Sequence, residues 1–105
     1  KLRFKDYDDF VEKYGSLMTD TPEIKAIHTV TNHMEGVGFL LKKKLVSIDY
    51  VRDCFGSVII LLWEKLKPVI EGTRKQFNIP KAWEPLEYLY NEIKKREQAS
   101  GVKNG

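Results

Sequence analysis

A single cysteine, Cys54, leaves the chain without a partner for an internal disulfide, so a reducing compartment, the cytoplasm, is the simplest expected setting. Histidine is almost as scarce. His28 and His33 are five residues apart, which on a helix of ~100° per residue separates them by about 140°. They cannot share a metal as two histidines at i and i+4 do, and no metal or cofactor is expected. Long apolar runs are missing too. The longest, Val58 to Trp63, has six residues, against the ~20 that a bilayer span needs. No signal peptide is visible. The chain opens on Lys1 without a methionine and reads as a fragment of a longer protein, so membrane contact is expected only through a segment absent from it. No stretch alternates apolar and polar residues strictly enough for a strand. Nor is there a glycine-rich phosphate loop, because Gly36-Val37-Gly38 lies within a helical pattern with no strand before it.

What is present is a globular composition on an all-α pattern. The 105 residues are 42% hydrophobic and 31% charged, with 18 basic residues against 15 acidic ones and a net charge of +3. That length is one domain, expected over residues 1–98 with a disordered tail over 99–105. The basic excess is too small to identify a nucleic-acid partner by itself.

Start and stop signals divide the chain into helices. Residues 4–14 carry Phe4, Tyr7, Phe10, Val11 and Tyr14 on one face, with Asp6 as a cap and Gly15 as a stop. In Thr21-Pro22-Glu23 a cap, a first-position proline and a first-turn acid open the second helix, which is expected to reach about Lys44. Its stripe is Ile24, Ile27, Val30, Met34, Val37, Leu41 and Leu45. Gly36 and Gly38 each cost about 1 kcal/mol there against alanine. Close approach by another helix or a bulky side chain, Trp63 or Trp83, is the expected compensation.

Ser47 caps the third helix, whose stripe runs Ile48, Val51, Phe55, Ile59, Leu62, Leu66, Val69 or Ile70, Thr73 and Phe77. Val58 to Trp63 is apolar on every side, so this helix belongs at the centre or against a partner. A helix unbroken over 48–77 and two helices divided near Gly56 both fit this pattern, and a break or bend at Gly56-Ser57 is the favoured reading. Pro68 predicts a kink, since its ring presses on the carbonyl of Glu64 while the pattern continues beyond it. Asn78-Ile79-Pro80 is the stop. A last helix begins near Trp83 with the apolar face Trp83, Leu86, Leu89, Tyr90 and Ile93. The expected fold is a four- to five-helix bundle with a central Pro68-kinked helix.

The residue types that carry catalysis are not arranged for it. Cys54, placed by this pattern on the apolar side of its helix beside Phe55, behaves as a small hydrophobe. Helical nucleases of the HEPN type carry an arginine a few residues before a histidine, and neither His28 nor His33 has one. No catalytic residue is assigned. Glu35, Glu64 and Arg74 border apolar stripes and are the structural polar candidates, with one of the two carboxylates expected to pair with Arg74 across the bundle. Lys42-Lys43-Lys44 suits a helix C-terminus.

The words Met34-Glu35-Gly36-Val37-Gly38, Leu45-Val46-Ser47-Ile48-Asp49, Trp63-Glu64-Lys65-Leu66-Lys67-Pro68-Val69-Ile70 with Arg74, and Trp83-Glu84 to Leu89 resemble an uncharacterised prokaryotic and phage family. It is domain of unknown function 4760, and the likeness spans about residues 20–95. The resemblance implies an all-helical domain and carries over no activity or ligand. Members of that family often look membrane-tethered, with an apolar helix ahead of the region.

Function is therefore expected to be non-enzymatic: a helical interaction or assembly module with a protein partner or a second copy of itself. The surplus apolar residues at Val58 to Trp63, together with Phe39, Leu40 and Tyr88, are the candidate interaction surface. The alternative is a nucleic-acid-associated module that uses the lysine-rich helix ends at 42–44 and 94–96.

Overall fold

The computed structural model describes residues 2–99 and contains four helices, with no strand among them: α1 (Tyr7–Tyr14), α2 (Pro22–Lys42), α3 (Ile48–Phe77) and α4 (Glu84–Ala99). Of the expected tail over 99–105, Ala99 ends α4 and the rest lies outside the described residues.

The first three helices each start on a side chain that replaces a missing helical hydrogen bond. Asp6 accepts from the Asp9 N–H at 2.9 Å, and α1 begins one residue later. Gly15 closes α1 with φ +90°, in the region that favours glycine. Thr21 accepts from the Ile24 N–H at 3.3 Å with Pro22 in the first helical position. Ser47 accepts from the Tyr50 N–H at 3.0 Å. Replacing Ser47 by alanine is expected to cost about 1 kcal/mol, read as a lower urea midpoint at unchanged m-value. An unmoved midpoint would show that the cap contributes nothing.

α2 ends two residues short of the expected Lys44, which instead adopts φ +63°, while the Leu45 N–H returns to the Leu40 carbonyl at 2.9 Å. α3 ends on Asn78, left-handed at φ +55°, whose N–H returns to the Arg74 carbonyl.

The expected break at Gly56 does not occur. α3 is continuous from Ile48 to Phe77, through both Gly56 and Pro68. The cost of one helical glycine, about 1 kcal/mol, is small beside the burial of Val51, Ile59 and Trp63 on a stripe that keeps its phase across it.

The core is Phe10, Leu17, Ile24, Val51, Ile59, Trp63, Leu66, Val69, Ile70, Leu86, Leu89 and Ile93, all nearly inaccessible, with Ile27, Met34 and Leu41 beside them. On α2 the buried face is rotated from the apolar stripe. Ile24, Ile27, Met34 and Leu41 of the stripe are buried, but so are Thr31 and Gly38, whereas Val30 is 43% exposed. The reason is α4. It packs on α2 and α3 extensively, while α2 and α3 scarcely touch each other. α4 is thus a wedge that holds much of the other two apart. Its pairings give its direction. His28 and Thr31 meet Trp83, Glu35 meets Leu86 and Lys42 meets Tyr88, so α4 runs parallel to α2. Asp49 meets Arg96 and Arg74 meets Glu87, so it runs antiparallel to α3.

α1 lies against the C-terminal half of α3. The Tyr7 ring packs directly on Gly72, where any Cβ would collide with it, and the Tyr7 hydroxyl donates to Gln76. Phe4 and Phe10 meet edge to face at 5.1 Å.

Candidate functional site

Two features stand out on this frame. The first is a polar clasp where α4 begins. Glu84, Pro85 and Leu86 form the first turn of α4, and no side chain just ahead of them supplies a cap; Trp83 sits there with φ +62°. The Glu84 N–H goes to the Lys81 carbonyl at 3.2 Å, and Pro85 has no N–H to satisfy. The Leu86 N–H goes to the Glu35 carboxylate at 3.3 Å, so the cap comes from another helix.

Arg74 completes the clasp. Its Nε donates to the Ala82 carbonyl at 2.8 Å and its Nη2 to Glu87 Oε1 at 2.9 Å, with the guanidinium 6.0 Å from the centre of the Trp63 ring. One side chain thereby ties the end of α3 to the connecting segment and to α4. The pairing of Arg74 with Glu35 or Glu64 is corrected: the carboxylate in contact is Glu87. Glu35 feels Arg74 only through space, and Glu64 accepts instead from the Tyr90 hydroxyl at 3.0 Å.

Around the clasp the polar groups are accounted for. Thr31, fully buried, accepts from Trp83 Nε1 at 3.3 Å and donates to the His28 carbonyl at 3.4 Å. The His28 ring stacks near Trp83, and its Nε2 lies 2.6 Å from the Leu17 carbonyl. A carbonyl only accepts, so Nε2 carries the proton. His28 is thus committed to structure.

Burial raises the Glu35 carboxyl above its ordinary pKa, opposed by the Leu86 N–H and by Arg74. A carboxyl with a raised folded pKa works against folding when ionised, and this penalty disappears as pH falls through that pKa. Glu35→Gln keeps an oxygen for the Leu86 N–H and removes the charge. It is expected to be at least as stable as the parent at neutral pH, with the difference shrinking on acidification. Thermal melts at several pH values test this; a Gln variant markedly less stable at neutral pH would contradict it.

The second feature is apolar. Between α2 and α3, on the side that α4 does not cover, lies an open groove of about 460 Å³. Leu2, Ala26, Ile27, Val30, Leu62 and Leu66 line it, with Glu23 from α2 and Lys65 from α3 on opposite walls. Beside it stand Val58, 52% exposed, and Leu61, 69% exposed. They precede Leu62 and Lys65 by four residues and so share their face of α3.

Of the residues singled out for an interaction surface, Ile59 and Trp63 are buried, Phe39 and Leu40 are 53% and 38% exposed, and Tyr88 is half-buried beneath the Lys42 ammonium. Val30 was absent from that set because its place in the α2 stripe marks it as core. Cys54, expected among apolar neighbours, is exposed. It stands 100° round the helix from Phe55, far enough to leave the core.

Among the described residues no three His, Cys, Asp or Glu side chains are grouped to hold a metal ion, and no helix is long and apolar enough to cross a membrane. The family model Domain of unknown function (DUF4760) matches residues 3–93. No curated protein and no solved structure matches the chain.

Proposed function

The chain belongs to the family of domain of unknown function 4760, and for it we propose a non-enzymatic role as a cytoplasmic helical interaction module that associates with itself. The observation that carries this reading is the uncovered side of α2 and α3. Leu61 at 69% and Val58 at 52% exposure stand beside a groove lined mainly by aliphatic side chains. A small domain that leaves large aliphatic residues together beside an unfilled groove has the signature of an interaction surface. Phe39 and Leu40 add exposed apolar area elsewhere on α2.

The nucleic-acid alternative has less behind it. Because α2 and α4 run parallel, the lysine-rich runs at 42–44 and 94–96 come to the same end of the bundle. Most of these cations are engaged within the chain. Lys42 and Lys43 lie over Tyr88 and Phe39, Lys95 pairs with Glu92, and Arg96 holds Asp49 through two bonds of 2.7 and 3.0 Å.

Light scattering on a size-exclusion column, over a concentration series, tests the proposal. A mass that rises toward twice 12.3 kDa supports it. A monomer at every concentration into the hundreds of micromolar rejects self-association.

A further inference from the structure

We propose that the partner filling the α2–α3 groove is a second copy of this chain, docked about a two-fold axis with its Val58–Leu61 ridge in the groove. The inference rests on the self-associating reading above and specifies its surface and symmetry.

A two-fold interface must be self-complementary, because the same patch serves on both sides. This patch has both halves of such a fit. The hole is the groove floored by Ile27, Leu62 and Leu66, and the knob is Leu61 with Val58 next to it on the same face of α3. An unrelated partner would require only one of the two. The charges are paired in the same sense. Glu23 stands on the α2 wall and Lys65 on the α3 wall. A rotation that seats each ridge in the opposite groove sets Glu23 of either copy against Lys65 of the other.

Among the described residues neither Glu23 nor Lys65 has an ion pair to give up, although the Lys65 ammonium lies 5.1 Å from the centre of the Phe4 ring. The start of α1 packs beyond the ridge, where Tyr7 meets Gly72 and Gln76 of α3. Leu2 and Tyr14 form the near end of the groove and limit how far the ridge can slide along it. The occupant that fits has an aliphatic ridge and one charge of each sign in this arrangement, and this chain supplies both.

Sedimentation equilibrium on the parent and four variants tests the pairing, with circular dichroism confirming that each remains helical. Leu61→Arg puts a charge on the knob and is expected to leave only monomer. Glu23→Lys and Lys65→Glu each replace two attractions with two repulsions in the dimer and should raise its dissociation constant by about tenfold. The double variant Glu23→Lys/Lys65→Glu restores opposite charges and is expected to return to within about threefold of the parent. Recovery in the double variant is the decisive result, because a loss of folding would not be reversed by adding the second substitution. A parent that dimerises while all four variants dimerise equally overturns the two-fold docking and leaves self-association standing. A parent that never dimerises overturns both.

Discussion

Gly38→Ala is expected to lower the stability of this domain, whereas Gly36→Ala, two residues earlier on the same helix, is expected to raise it. The two glycines look alike in the sequence, and each is expected to gain from alanine's higher helix propensity by about 1 kcal/mol. Their surroundings separate them. A Cβ at Gly36 meets nothing within 4 Å, so the propensity gain is realised in full. A Cβ at Gly38 runs into the Pro85 carbonyl oxygen and lies 3.0 Å from its carbon and 3.5 Å from Leu89 Cβ. The obstacle is backbone in the first turn of α4, which cannot rotate away as a side-chain tip can. α4 must move off α2, loosening the Leu89 packing and the Glu35 cap. Overpacking of this kind costs about 1–3 kcal/mol, occasionally more, and outweighs the propensity gain. For a domain of this length each kcal/mol shifts the melting temperature by about 4–8 °C. The melts of the two variants should therefore fall on opposite sides of the parent. Equal shifts of one sign would show that α4 does not approach α2 as closely as described.

Arg74→Ala is expected to cost about 1.5–3 kcal/mol, the range for hydrogen bonds that involve a charged group. The Arg74 side chain is only 17% exposed, and its loss strands the Ala82 carbonyl and removes the cation beside Trp63. Glu87 softens the effect, since its carboxylate is 39% exposed and water can solvate it. Arg74→Lys separates geometry from charge. A lysine ammonium is a point donor on a flexible stem and cannot reproduce the planar fork that reaches a backbone carbonyl and a carboxylate together. It should recover less than half of the loss in a urea titration. Full recovery by lysine would mean that the charge alone matters. Hydrogen exchange supplies a local reading: in Arg74→Ala the amides of the first turns of α4 should exchange faster than those of α1.

Boundaries marked by a cap or stop residue were legible in the sequence because caps and stops are local chemistry, whereas α1 starts at Tyr7 rather than at residue 4 and α2 stops short of Lys44. Asp6, Thr21 and Ser47 each act within three residues of themselves, and Gly15 and Asn78 adopt positive φ for reasons internal to the chain. The buried face of α2 was half legible. Val30 and Val37 form a fair apolar stripe with Ile27 and Met34, and periodicity cannot tell that stripe from one rotated onto Thr31 and Gly38. The choice depends on which helix lands there, and α4 is more than forty residues away in sequence.

The same non-locality hid Glu87 as the partner of Arg74. Glu87 sits among polar positions of α4, where nothing distinguishes it from a solvated surface acid until the two helices cross. Glu35 was recognised as a carboxylate beside a core stripe, but its role as a borrowed cap needed the position of Leu86. Gly56 misled for the opposite reason. A local helix breaker was weighed without the tertiary burial that holds α3 together across it.

The wedge formed by α4 also has a consequence in time. Chains emerge from the ribosome from the N-terminus, and early segments usually fold first. Here the first three helices cannot complete a core among themselves, because α2 and α3 meet mainly by way of α4. Glu35, Thr31 and Gly38 wait on residues 83–89. The domain therefore closes only once α4 has emerged, and nascent chains stalled before residue 84 should remain open to protease.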